Sequence, residues 1–250
     1  MTGSAPALLE LVKVTKHFGG VTAVDGIDLT VNQGEVVGLI GPNGAGKTTV
    51  FNIVSGVMPA STGSIRFRGK EINGLRPDQI TRAGIARTFQ AASFLSGMTA
   101  YENVQIAAAF RRPAARRQRA DRDVISDALR TTGLLEHADL PAEALNVSQH
   151  KRLEIARAIA TEPELLMTDE VVAGLTPPET DEILAILMTL NRRGMTLIFV
   201  EHDVRAVLSV SQRLVVLAQG ALLAQGEPQS IARSPEVIKV YLGSRYVAGH

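Results

Sequence analysis

The chain has no cysteine. That excludes a disulfide framework, a thiolate metal site and a cysteine nucleophile, and it fits a reducing interior. It lacks an excess of charge of either sign: 26 Lys and Arg against 25 Asp and Glu give a net charge of +1. No broad electrostatic field for nucleic acid follows from that balance. No apolar run approaches the ~20 residues that a membrane-spanning helix requires. Met1 to Pro6 is small and polar, without the basic-then-apolar layout of a secretion signal, so a link to a membrane is expected to run through a partner. There is no internal repeat or long low-complexity tract, and no Asn-Lys-x-Asp string that would recognise guanine. What remains is a 250-residue chain, 45% hydrophobic, sufficient for one large domain or two closely packed subdomains with a sizeable core.

The most informative stretch is Gly41-Pro42-Asn43-Gly44-Ala45-Gly46-Lys47-Thr48, a complete G-x-x-x-x-G-K-S/T phosphate loop. The apolar run Val36–Ile40 before it reads as a buried parallel strand, and Thr49–Val54 after it as a helix. Glycines let backbone N–H groups close around phosphate oxygens, and a helix start adds its positive dipole end. Lys47 is expected to hold the β- and γ-phosphates and the Thr48 hydroxyl to ligate Mg²⁺.

Elsewhere, Leu8–Val14, Ile27–Val31, Ser64–Arg68 and Gly84–Phe89 read as strands, and Pro77–Arg82 as a helix. Thr99–Thr132 is mostly helical, broken near Pro113 by Arg111, Arg112, Arg116, Arg117, Arg119 and Arg122. Those arginines could form a nucleic-acid or lipid-headgroup patch. With no interleaved aromatics to stack bases, a solvated inter-helix loop and first helical turn is the preferred reading. Arg152–Ala160 is an amphipathic helix and Leu165–Thr168 a buried strand running out at Asp169-Glu170. Glu179–Arg192 is a helix, Met195–Val200 a buried strand ending just before His202, and Leu214–Ala218 with Ala221–Ala224 a final hairpin before two short helical pieces. The alternation predicts an α/β layered core with a parallel sheet, into which Thr99–Ala160 is inserted as a helical block. At a strand's carboxyl end Asp169 can hold Mg²⁺, and an adjacent carboxylate can polarise a water. A histidine after the next strand could reach a γ-phosphate, although a lone histidine is usually structural.

In this order, the pieces resemble the nucleotide-binding subunit of ABC transporters over roughly Leu8 to Leu242. The resemblance implies a P-loop NTPase core with a mixed sheet, an N-terminal antiparallel β-subdomain and a helical subdomain near 92–160, all forming one nucleotide-binding domain. It also implies ATP and Mg²⁺ as ligands. Phe18 matches the position on which adenine stacks, Gly41–Thr49 the Walker A loop, and Gln90 the Q-loop glutamine that senses Mg²⁺ and the coupling helix. Leu165–Asp169 matches Walker B, Glu170 the catalytic glutamate, Ala173-Gly174-Leu175 the D-loop and His202 the switch histidine. Within the family the chain is most similar to the branched-chain amino acid importer ATPases of Liv type, G subunit. Phe18-Gly19-Gly20, Arg87-Thr88-Phe89-Gln90, Met98-Thr99 with Glu102-Asn103, and Arg152–Ala158 carry that finer match, together with Glu179-Thr180 and the tail Val240–Gly243. It implies a second ATPase subunit, a different chain; membrane permease subunits; a periplasmic or extracellular solute-binding protein acting indirectly; no nucleic acid; and a place on the cytoplasmic face of the membrane.

The family's signature loop, L-S-G-G-Q, reads here Leu145-Asn146-Val147-Ser148-Gln149. A side chain at Ser148 could crowd the approach of backbone N–H to the partner's γ-phosphate, while the Asn146 amide can still donate. Asn146, Ser148 and Gln149 remain candidate nucleotide contacts. Three outcomes stay open: a tolerated change, a slow site on the partner's Walker A, or a catalytically weak regulatory subunit of a heterodimeric system. Val171 replaces a usual proline, and Thr168 places a hydroxyl in the Walker B strand that needs a partner if buried. Asn146-Val147-Ser148 also spells a glycosylation sequon, read as chance. A soluble ABC protein acting on ribosomes or DNA is the remaining alternative, and such proteins usually carry two cassettes in one chain.

Overall fold

The computed structural model describes residues 7–88, 94–201 and 203–242. By its internal contacts the chain divides into two compact units, one made of residues 1–75 with 198–250 and the other of 76–197.

In the first unit, strands β1 (Ala7–Phe18) and β2 (Val21–Asn32) form a long antiparallel hairpin, extended by β4 (Thr62–Phe67) and β5 (Lys70–Glu71) in the order β2-β1-β4-β5. Leu9 faces Val31 on one side and Phe67 on the other, and Leu11 faces Leu29 and Ile65. All six are buried, so the register is fixed by one apolar face. β1 and β2 run further than the sequence pattern predicts, because Lys16–Phe18 and Val21–Val24 still pair next to the turn. Between them Lys13 takes a left-handed φ of 50° at a break in register, and its N–H donates to Asp28 Oδ1 at 2.8 Å.

A second sheet of this unit contains β3 (Val36–Ile40), buried at every residue. It pairs in parallel with β9 (Arg213–Ala218), which pairs antiparallel with β10 (Ala221–Gly226). The mixed character follows from that one hairpin. Helix α1 (Lys47–Val54) follows β3, and α8 (Val204–Val210) packs against it. Gly38 allows that approach: a Cβ there would stand 2.5 Å from both Val207 Cγ1 and Ser211 Oγ. Short helices α9 (Pro228–Ala232) and α10 (Pro235–Leu242) close the chain as expected.

In the second unit, β6 (Ile85–Arg87) pairs in parallel with β7 (Leu165–Asp169). Helices α2 (Pro77–Ala83) and α7 (Pro177–Arg192) belong here, and β8 (Thr196–Val200), wholly buried, carries the chain across the division at 197–198. Helices α3 (Ala100–Ala108), α5 (Asp121–Thr131) and α6 (Val147–Ile159) pack on one another. The string Met98-Thr99 with Glu102-Asn103 now has a physical meaning. Thr99 and Glu102 form the capping box of α3, and buried Asn103 bonds Leu95 N–H together with the carbonyls of Leu95, Met98 and Thr99.

Two expectations are corrected. α6 starts at Val147 rather than at Arg152, because the Asn146 side chain accepts from Gln149 N–H at 2.8 Å and Gln149 Oε1 accepts from Asn146 N–H at 2.9 Å. That box starts the helix before any apolar stripe begins. The arginine span is solvated at Arg116, Arg117, Arg119 and Arg122, as expected, but not at its start. It contains helix α4 (Pro113–Gln118), and Arg111 is fully buried, donating to Glu162, to Asp121 at 2.7 Å and to the carbonyls of Ala115 and Arg119. Arg112 pairs with Glu164, Arg116 with Asp121, and Arg119 with Glu162 and Asp127. Asp121 and Asp127 are local partners, but Glu162 and Glu164 lie far along the chain, which sequence proximity does not show.

Candidate functional site

The chemistry-bearing residues fall in both units. In the first, β3 ends at Ile40 and the chain turns through residues 41–46 into α1. The turn is tight enough to demand glycine. A Cβ on Gly41 would stand 2.3 Å from Leu217 O, and one on Gly46, at φ +100°, would stand 2.7 Å from Ala23 O. Ala45 N–H donates to Pro42 O at 3.1 Å, and Gly220 N–H to Ala45 O at 3.2 Å, so the loop is braced from the β9–β10 turn, whose Gly220 O in turn accepts from Asp25 N–H of β2 at 2.8 Å. Lys47 is buried, with its Nζ donating to Gly41 O at 2.6 Å and Pro42 O at 3.1 Å. Gly46 caps α1 without a side chain to accept from the first turn, whose N–H groups lack intrahelical carbonyls. Asn43, Gly44 and Thr48 are exposed and Pro42 and Thr49 half-buried. A rigid glycine cradle, an ammonium over its mouth, an uncapped helix start and an exposed hydroxyl fit a polyphosphate. Phe18, at the tip of β1, is 48% exposed, with Lys16 Nζ 5.2 Å from its ring centre, so the ring's surface is available for stacking.

In the second unit, Asp169 ends β7 and is buried. Its carboxylate takes Arg87 Nη2 at 3.3 Å, and its N–H donates to Thr88 Oγ1 at 3.2 Å. Burial draws the Arg87 guanidinium below its ordinary pKa, against the opposing pull of Asp169. Sequence reasoning missed this pair: Arg87 and Thr88 were only part of a family string, and nothing local says that β6 lies beside β7. Thr168 is buried in β7, and its hydroxyl has no hydrogen-bond partner among the described residues, so the expected partner is missing there. Glu170 leaves the strand with a left-handed φ of 54°, and its carbonyl accepts from Ala173 N–H at 3.3 Å and Lys151 Nζ at 3.1 Å. Val171 is fully buried, while Ala173 and Gly174 are exposed. Taken each in its own unit, the exposed Thr48 hydroxyl and the Asp169 carboxylate are groups of the hard-oxygen type that Mg²⁺ prefers.

At the altered signature, Asn146 is exposed and spends its side-chain oxygen on the cap of α6, leaving its amide N–H₂ to other acceptors. Ser148 is 5% exposed and helical, with its hydroxyl buried. The side chain therefore packs inward and does not crowd the surface, and the backbone angle is ordinary. Gln149 is half-buried. Gln90 and His202 lie outside the described residues.

The family model described as "ABC transporter" matches residues 24–173, which include the phosphate loop, Asp169-Glu170 and the signature. The chain belongs to the ABC transporter family. The cassette is 43% identical over 249 residues to the high-affinity branched-chain amino acid transport ATP-binding protein BraF of Pseudomonas aeruginosa, covering 94% of this chain and 98% of that one. It is 40% identical to LivG of Escherichia coli, which carries the same description, with the same coverage. A solved ATP-binding cassette of an ABC transporter in its ADP conformation superposes with a TM-score of 0.87 at 30% identity, covering 96% of this chain and all of that one. As a cassette of this family the chain binds and hydrolyses ATP, and among its described residues no helix is long and apolar enough to cross a membrane.

Proposed function

We propose that the cassette powers an importer for branched-chain or related amino acids, as one nucleotide-binding domain beneath membrane permease subunits at the cytoplasmic face, paired with a second, different cassette chain. The observation that carries the reading is the phosphate cradle, closed to any side chain at Gly41 and Gly46. Near full-length identity to transport proteins described for that solute class supports the finer statement.

In this reading Lys47 and the loop N–H groups hold the β- and γ-phosphates, and Phe18 stacks on the adenine. Thr48, Asp169 and Gln90 hold Mg²⁺, which when bound supplies charge neutralisation on the phosphate oxygens. Glu170 accepts a proton from the attacking water, and His202 donates to the γ-phosphate. Asn146 and Gln149, with the Ser148 N–H, meet the nucleotide on the partner's Walker A. ATP then favours the closed pair because that state binds it better, and hydrolysis releases it. The catalytically weak alternative has less support, because Ser148 turns inward and Asn146 starts an ordered helix. The test is uptake of labelled leucine by cells that carry or lack this chain. Uptake lost without it, and restored by it, supports the assignment; unchanged uptake of leucine, isoleucine and valine rejects the solute class.

A further inference from the structure

The cassette carries its signature residues at the start of α6 and its water-polarising carboxylate after β7, and one side chain joins the two. Lys151 is the fifth residue of α6, and its Nζ donates to the backbone carbonyl of Glu170 at 3.1 Å. The same oxygen accepts from Ala173 N–H at 3.3 Å. Glu170 is not glycine, yet its backbone is left-handed at φ 54°. A conformation of that kind persists only where the surroundings over-determine it. Here the flanking Asp169 and Val171 are buried, Asp169 is held by Arg87 and Thr88, and the Glu170 carbonyl is gripped by an amide and an ammonium. A charge-assisted bond is the stronger of the two. Upstream, the Asn146–Gln149 box sets where α6 begins, and so where Lys151 stands.

We infer that Lys151 is a positioning residue that holds the Glu170 turn in its left-handed form and mechanically joins it to the signature end of α6. It touches a backbone oxygen and not the reacting atoms. By this route a shift of α6, when its N-terminal end meets the partner's nucleotide, alters the aim of Glu170 in the same chain. The inference rests on the reading of Glu170 as the residue that polarises water.

The test compares Lys151→Met, Lys151→Gln and Lys151→Arg with wild type and Glu170→Gln, each in the transporter purified with its membrane subunits. Steady-state ATPase, equilibrium ATP affinity and thermal midpoint are read together. Lys151→Met is expected to lower kcat about tenfold or more, with ATP affinity and midpoint unchanged. Lys151→Arg, which keeps a charged donor, restores most of kcat, and Lys151→Gln, which keeps a neutral one, falls between. Should methionine prevent folding, the Gln and Arg pair decides. Wild-type kcat in Lys151→Gln and Lys151→Met overturns the inference, as does a loss that tracks the thermal midpoint and is not rescued by arginine. Glu170→Gln separates the two levels. If it hydrolyses ATP as wild type does, the reading of Glu170 fails; if it is dead while Lys151→Met is wild type, only the role of Lys151 fails.

Discussion

Replacing Arg111 by methionine removes the most buried charge in the described structure and keeps the length of the stem. Arg111 is fully buried and serves Glu162, Asp121 and the carbonyls of Ala115 and Arg119. Breaking a buried ion pair from one side usually costs 3–5 kcal/mol, mostly by stranding the charge left behind. Here the stranding is partial. Arg119 still reaches Glu162 at 3.3 Å, Arg116 still reaches Asp121 at 3.1 Å, and the two carboxylate side chains are 21% and 43% exposed. The lower end of the range, about 3 kcal/mol, is therefore expected. Urea unfolding of the purified chain, followed by far-ultraviolet circular dichroism because there is no tryptophan, reads the loss as a fall in midpoint. Glu162→Gln closes a double-mutant cycle with a coupling of about 1 kcal/mol or more. A loss below about 1 kcal/mol, the scale of solvent-exposed pairs, would refute the claim that this arginine organises α4 and the segment leading into β7.

Two further outcomes follow from other parts of the molecule. Gly46→Ala sets a methyl carbon 2.7 Å from Ala23 O at a left-handed φ, so ATP affinity should fall by about tenfold or more in an equilibrium titration while the fold survives. Glu154 in α6 is buried with no hydrogen bond to its carboxylate among the described residues; burial pushes its pKa up to about 7 from 4.5, opposed by the charges of Lys151 and Arg157. The folded state then holds a proton that the unfolded chain releases, so this group's contribution is present below about pH 4.5 and is lost as pH rises through about 7. Glu154→Gln should flatten that part of a stability–pH curve and raise the urea midpoint on its alkaline side, and an unchanged curve counts against it.

The phosphate loop was legible because its chemistry is local: a tight turn, a lysine and a hydroxyl must follow one another in the chain. Buried strands such as Val36–Ile40 and Leu165–Asp169 were legible because unbroken apolar runs leave them few other places. The start of α6 was not, because Asn146 and Gln149 are polar and cap a helix before its apolar stripe appears. The burial of Arg111 was hidden because Glu162, which with Asp121 takes its charge, lies some fifty residues further along the chain. Arg87 against Asp169 and Lys151 against Glu170 were equally invisible, since each depends on which strand or helix becomes a neighbour. The altered signature could be seen in sequence, but the inward turn of Ser148 required coordinates.

The most direct test of the account is steady-state ATP hydrolysis by the assembled transporter carrying Glu170→Gln in this chain, compared with wild type at saturating Mg-ATP. The account predicts a fall of about a hundredfold or more at this cassette's own site, with ATP still bound, because the carboxylate that takes the water's proton is gone while the cradle at Gly41–Thr48 is untouched. Hydrolysis at the wild-type rate would contradict it.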